Sequence, residues 1–203
     1  GGPLLSIDGS VVGINTYVIR RSQDAGIEGF NIAVAIDEAI SRIEQLETAT
    51  FVSKPADAFF SSGLAYHYDG QYERAIEDYD EAIRLDPQYT GAYYSRGASY
   101  YNLSQYERAI EDFGEAIRLN PQDADAYSYR GAAYARLGQY VRAIQDYDEA
   151  IRLDPQDAIA YYNRGSAYAR LEQYVRAIQD FDEAIRLNPQ FATAYYHRGI
   201  AYR

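Results

Sequence analysis

From Tyr106 to Leu119, apolar side chains recur at spacings of three and four: Ala109, Ile110, Phe113, Ala116, Ile117 and Leu119, with Glu111, Asp112 and Glu115 between them. This period predicts an amphipathic helix with one buried stripe. The stripe stops at Asn120-Pro121, where asparagine is expected in the left-handed C′ position and proline cannot continue the helix. A second pattern precedes it. Across Ala92 to Asn102, Tyr93, Gly97 and Tyr100 fall at i, i+4 and i+7 on one side of a helix, and Leu103-Ser104 then turns the chain.

This pair of helices repeats. Gly63, Gly97, Gly131, Gly165 and Gly199 recur every 34 residues, as do Pro87, Pro121, Pro155 and Pro189. Tyr72, Tyr106, Tyr140 and Tyr174 keep the same step, and so do Ala75, Ala109, Ala143 and Ala177. One such hairpin cannot bury its own stripe, so neighbours are expected to stack into a solenoid. Glycine inside a helix costs about 1 kcal/mol relative to alanine, a cost tolerated where two helices must approach closely. Ala109 and Ala116 are the matching small surface.

The period, with Tyr93, Gly97, Tyr100, Ala109, Phe113 and Pro121 in the second unit, is similar to the tetratricopeptide repeat. The fold expected is mainly α: four full repeats (56–89, 90–123, 124–157 and 158–191), then the first helix of a fifth (192–203). One departure recurs. Arg96, Arg130, Arg164 and Arg198 stand where the family places leucine before the glycine, and Ser62 stands there in the first unit.

The resemblance implies a right-handed superhelix whose first helices line a concave groove. Acids crowd the second helices, whereas the first carry arginines and few acids, so a locally positive, tyrosine-rich groove is expected. Tyr94, Tyr101, Tyr129, Arg136, Tyr162, Asn163, Arg170 and Tyr196 are its expected lining. Tyrosine offers apolar area and a hydroxyl for few rotors, and arginine a forked donor. A protein or peptide partner with acidic and apolar residues would suit them. Asn163 suits solvent as well as a ligand. Tyr93, Tyr100, Tyr127, Tyr134, Tyr161 and Tyr168 are assigned to core packing. The arginine before each glycine is expected to pair with acids on a neighbouring second helix, such as Asp78 or Asp112 for Arg96. Some family members clamp a terminal carboxylate with lysine and asparagine. The matching positions here hold Phe60, Tyr94 and Tyr162, and Leu64, Ala98 and Ala132, so that clamp is absent.

Residues 1–47 follow other rules, and 48–55 read as a linker. Leu4 to Ile7 and Val11 to Ile19 read as strands joined at Asp8-Gly9, Phe30 to Ile36 as a third strand, and Asp37 as the cap of a helix. Gly1-Gly2-Pro3-Leu4, then Gly13-Ile14-Asn15-Thr16, then Gly29-Phe30 and a terminal helix resemble the end of a trypsin-like serine peptidase of the bacterial high-temperature-requirement type. A hairpin cap on the solenoid is the alternative. The resemblance implies that Ile14, Asn15 and Thr16 match the substrate-pairing strand and that the catalytic triad precedes Gly1. The chain itself then carries no catalytic residue. The alternative function is the C-terminal portion of a repeat-fused serine endopeptidase whose repeats recruit substrate or partner.

Composition adds limits. With no methionine, Gly1 is not expected to be a translational start, and Arg203 closes an unfinished helical pattern, so a fragment of a longer chain is expected. That unfinished unit could also support homo-oligomerisation. No cysteine is present, and no metal-ligand cluster or phosphate-cradling loop suggests a cofactor. A net charge of −11 argues against general nucleic-acid binding. No apolar run approaches the roughly 20 residues of a membrane span. The compartment stays open.

Overall fold

The computed structural model of the protein describes Leu4–Leu5, Val11–Gly13 and Pro55–Tyr202. The chain divides into two units, Gly1–Val52 and Ser53–Arg203. In the first, β1 (Leu4–Leu5) and β2 (Val11–Gly13) pair antiparallel, Leu4 opposite Gly13 and Leu5 opposite Val11. One step on β1 faces two on β2, so the register shifts as it does at a bulge. Ile14, Asn15 and Thr16, the third strand and the helix expected after Asp37 lie outside the described residues.

The second unit contains nine helices among the described residues. They are α1 (Pro55–Tyr68), α2 (Tyr72–Leu85), α3 (Thr90–Asn102), α4 (Tyr106–Leu119), α5 (Ala124–Arg136), α6 (Tyr140–Leu153), α7 (Ala158–Arg170), α8 (Tyr174–Leu187) and α9 (Ala192–Ala201). Each packs on the next in sequence. First helices of successive hairpins also touch, α1 with α3 and so on to α9, whereas no two second helices do. Helices that approach on one side fan apart on the other, so the odd-numbered helices form the inner, concave wall. None of these helices is long and apolar enough to cross a membrane.

Close approach within each hairpin rests on glycine. A Cβ added at Gly63 would lie 2.6 Å from Tyr79 Cε1, at Gly131 2.9 Å from Tyr147 Cε1, and at Gly165 3.0 Å from Phe181 Cε1. Those rings, with Phe113, are the largest fully buried side chains, and alanines of both helices surround them. The core is therefore one aromatic ring per hairpin set in small residues. Tyr93, Tyr100, Tyr127, Tyr134, Tyr161 and Tyr168, expected in that core, are only half-buried. Their rings lie at the seam and carry guanidinium groups: Arg96 over Tyr93 at 5.5 Å, Arg108 over Tyr100 at 5.5 Å, Arg130 over Tyr127 at 5.6 Å. Tyr93, Tyr100, Tyr127, Tyr134 and Tyr168 still pack on the buried clusters, as Tyr93 and Tyr127 do beside Ala116, Ile117 and Ala126, so they wall the core and carry the guanidinium groups together.

The residues before proline also depart from expectation. Asn120 is extended, with φ −133° and ψ 89°, and so are Asp86, Asp154 and Asn188. Proline Cδ disfavours helical backbone at the preceding residue. Each side chain instead accepts a hydrogen bond from the N–H two residues on, as from Gln88 to Asp86 Oδ1 at 3.0 Å and from Gln122 to Asn120 Oδ1 at 3.2 Å. Asp and Asn share that acceptor oxygen, which explains their exchange between units. Positive φ occurs at the turn inside the hairpin, at Gly70, Ser104, Gly138 and Glu172.

Ion pairs bind the hairpins. Arg96 makes a fork to Asp112 of its own hairpin (2.8 and 2.6 Å) and reaches back to Asp80 of the preceding one. Arg164 does the same with Asp180 and Asp148. Asp112 fulfils the expected pairing, whereas Asp78 does not: in its own unit Ser62 stands at the arginine position, and Asp78 Oδ2 is buried without a partner among the described residues. Among the described residues Arg130 pairs only with Asp146, because Gly114 stands where Asp80 and Asp148 stand in neighbouring units. A Cβ at Gly114 would meet only Arg130 Nη1, at 3.7 Å. Gly114→Asp is therefore expected to stabilise the protein by about 1 kcal/mol, combining helix propensity with a half-exposed ion pair. Urea unfolding would show a higher midpoint, and an Arg130→Gln background should remove most of the gain.

Candidate functional site

Two adjoining cavities open on the inner wall around α5 and α7. The larger, about 480 Å³, is lined by Tyr129, Ser128, Asp125, Asp154, Asp157 and Ile159. The smaller, about 300 Å³, is lined by Arg136, Tyr162, Ser166, Arg170 and His197 over Tyr140 and Tyr147. Tyr101, Ala132 and Asn163 belong to both.

The larger cavity has an identifiable cause. At the ends of the unit, the space between successive first helices is filled by a pair of rings, Phe60 on Tyr89 and Tyr162 on Phe191, each with centroids 4.9 Å apart. Counting by 34, the same two positions between α5 and α7 are Ser128 and Asp157. Neither supplies a ring. Asp157 instead caps α7, accepting from the Ile159 N–H at 2.8 Å, and Asp123 caps α5, accepting from the Ala126 N–H at 3.0 Å.

The structure brings together Tyr101, Tyr129, Arg136, Tyr162, Asn163 and Arg170 of the lining expected from sequence. Arg136 lies over two rings, 5.0 Å from that of Tyr106 and 5.9 Å from that of Tyr101. The Tyr162 hydroxyl lies 3.2 Å from His197 Nδ1. Tyr94 is placed elsewhere: it is half-buried, edge-on to Phe113 and Tyr129 at 5.7 and 5.6 Å. Tyr196 is 66% exposed on α9 and lines neither of these cavities. Sequence reasoning missed Ser128, Asp125, Asp154, Asp157 and His197. For Ser128 the available signal was its departure from the repeat, since neighbouring units have aromatic residues there.

The charge of this wall is divided. Asp125, Asp154 and Asp157 gather at the N-terminal ends of α5 and α7, and Arg136 and Arg170 end those helices. This arrangement complements both helix dipoles, and the locally positive surface expected from sequence is confined to the Arg136 and Arg170 end of the two cavities. Eleven residues separate Asp125 from Arg136, a helical rise of roughly 16 Å. Arg136 and Arg170 make no hydrogen bond or ion pair among the described residues. Every other arginine from Arg74 to Arg198 does. Two guanidinium groups are thus without an acid or amide partner among the described residues, Arg136 resting on rings, where tyrosines and an amide converge.

Burial also acts on the phenols beneath the wall. It pushes Tyr79 up to about 12, and Tyr94 and Tyr147 are raised as well, chiefly by loss of water. A folded-state value above the unfolded value near 10 favours the protonated, folded form at low pH. That stability is expected intact below about pH 10 and lost as pH rises towards 12. A spectroscopic alkaline titration should show tyrosinate absorbance and loss of helical circular dichroism rising together.

Comparison with known proteins identifies the repeat. Family descriptions of the tetratricopeptide repeat match residues 63–104, 94–158 and 158–191, so this part of the chain is a tetratricopeptide-repeat array. Among solved structures, MamA from Desulfovibrio magneticus RS-1 is similar with a TM-score of 0.70 and 26% identity, over 74% of this chain and 85% of that one. The first such domain of Spaghetti (RPAP3), solved with the HSP90 peptide SRMEEVD, has a TM-score of 0.57 and 28% identity, over 59% and 94%. YrrB, described as having an unusual peptide-binding site, shares the fold at 24% identity and a TM-score of 0.66, over 79% and 81%. A probable periplasmic serine endoprotease, DegP-like, of Halomonas elongata is 41% identical over 54 residues. That match spans 27% of this chain and 11% of the endoprotease.

Proposed function

We propose that this tetratricopeptide-repeat array is a scaffold that binds a polypeptide segment along its inner wall, with Arg136 and Arg170 receiving carboxylates of the ligand. The observation that carries this reading is the pair of uncommitted guanidinium groups beside Tyr101, Tyr162 and Asn163. Arginines elsewhere in the unit are tied to acids or glutamines and hold the fold. These two have no acid or glutamine partner among the described residues, and arginine binds carboxylates through paired donors. The tyrosine faces add apolar area that needs little ordering on binding. A solved neighbour that holds the peptide SRMEEVD supports a peptide as ligand class. Here the terminal-carboxylate clamp is replaced by rings and small residues, so recognition within a segment fits better than recognition of a chain end. Charge reversal at both positions, Arg136→Glu with Arg170→Glu, is expected to weaken a captured partner about 100-fold by calorimetry with the helical content unchanged. Unaltered affinity would remove the assignment.

The likeness to the Halomonas elongata endoprotease supports a second, compatible reading. In it, residues 1–47 end a trypsin-like peptidase domain, 48–55 link it to the array at 56–203, and the repeats recruit substrate or partner. Sequencing the coding region ahead of Gly1 tests this. A serine directly before Gly1, with histidine and aspartate farther upstream, is expected; a coding region lacking that serine would leave the scaffold alone.

A further inference from the structure

The repeat fills the space between successive first helices with a ring pair at its two ends, and between α5 and α7 neither of the same two positions supplies a ring. Where Ser128 and Asp157 replace the ring pair, about 480 Å³ stays unfilled. An unfilled space forfeits contacts that the neighbouring units make. Its walls are not those of an accidental void. Tyr129 is 42% exposed and Ile159 58% exposed, large apolar surfaces turned towards the opening. Asp125, Asp154 and Asp157 border the same space. Asp154 and Asp157 each commit one carboxylate oxygen to a backbone N–H, leaving the other available.

We infer that the trough between α5 and α7 takes an extended polypeptide segment of mixed charge, with a lysine or arginine in the cavity of Ser128 and Asp157 and an aspartate or glutamate about five residues away against Arg136 and Arg170. This rests on the groove reading above and adds the ligand's chemistry. A long basic side chain lays its apolar stem on surfaces such as Tyr129 and Ile159 while its head reaches carboxylates. The spacing follows from the fold: roughly 16 Å between the two charged ends, divided by about 3.3 Å per extended residue, gives about five. Asn163 stands at the junction of the cavities with its amide unpaired among the described residues. An amide that both donates and accepts there matches the free backbone groups of an extended chain, which a helical ligand would satisfy internally. Crowding of like charge marks the cationic end as well: burial, then Asp123, Asp157 and Asp154, hold the Asp125 carboxyl above its usual range.

The test uses the whole chain labelled with nitrogen-15 and an acetylated eight-residue peptide, with lysine second, glutamate seventh and tyrosine between. Nuclear magnetic resonance titration is expected to shift amides near Ile159 and Asn163 together with those near Arg136 and Arg170. The peptide should bind about tenfold more tightly than one with alanine for lysine, the worth of one partly desolvated charge pair. Ser128→Tyr, which restores the ring found at Phe60, Tyr94 and Tyr162, should fold and abolish that tenfold advantage. Asp125→Lys, at an exposed position, should do the same, and exchanging the peptide's lysine for glutamate should recover it. If the alanine peptide binds equally and shifts only the arginine end, this inference fails while the groove reading stands. If no amide shifts at either end at millimolar peptide, both fail.

Discussion

The architecture depends on a ring resting against a bare helix backbone. In each complete hairpin, an aromatic side chain of the second helix occupies the place that a Cβ would take on the first. At Gly131 a methyl group would also lie 3.2 Å from the Ala143 carbonyl oxygen. Two helices can approach this closely only where one has no side chain. The contact fixes the hairpin before any neighbour is added, and the surrounding alanines follow from the same need for small volume. With the interior satisfied by one ring and small residues, many of the chain's tyrosines are released from core duty. Some become platforms for arginine at the seams, and others face the inner wall.

Charge then supplies what the small core cannot. A hairpin interior of alanines buries little area, so neighbouring hairpins gain from the arginines before glycine, of which Arg96 and Arg164 each reach acids of two hairpins. The forked, half-buried geometry of Arg96 and Arg164 is the arrangement in which an ion pair is worth most relative to its desolvation. The acids on the second helices are thus only in part a solvated face. The same logic isolates the functional residues. Once each structural arginine has its acid or glutamine, Arg136 and Arg170 stand out because they have none.

Much of this was legible in the sequence, because a period of 34 residues repeats nearly verbatim and the apolar stripe of each second helix is unambiguous. Hairpin boundaries, the small contact surface and most of the inner-wall residues followed from that register. What escaped it depends on coincidences between distant units. Ser128 and Asp157 leave a hole only because the chain brings them, 29 residues apart, to the same gap between α5 and α7. Asp125, Asp154 and Asp157 gather at one rim because two successive hairpins place their helix starts side by side. The half-burial of Tyr93 and its equivalents was hidden for another reason. Their spacing is that of a core stripe, and only the guanidinium lying over each ring shows that one side faces outwards.

Contacts in this array join each helix only to the next and the next but one, and the surfaces that meet at every boundary are almost the same. Unequal recombination within the coding repeats could therefore insert or remove a whole unit without creating a junction chemically new to the protein. The fold tolerates such changes of length, but the groove does not scale with them. Its distinctive cavity lies at one junction only, and removing the repeat 124–157, which carries both Ser128 and Asp157, would abolish it. Selection on binding would then protect that one repeat from loss in an array whose packing singles out none.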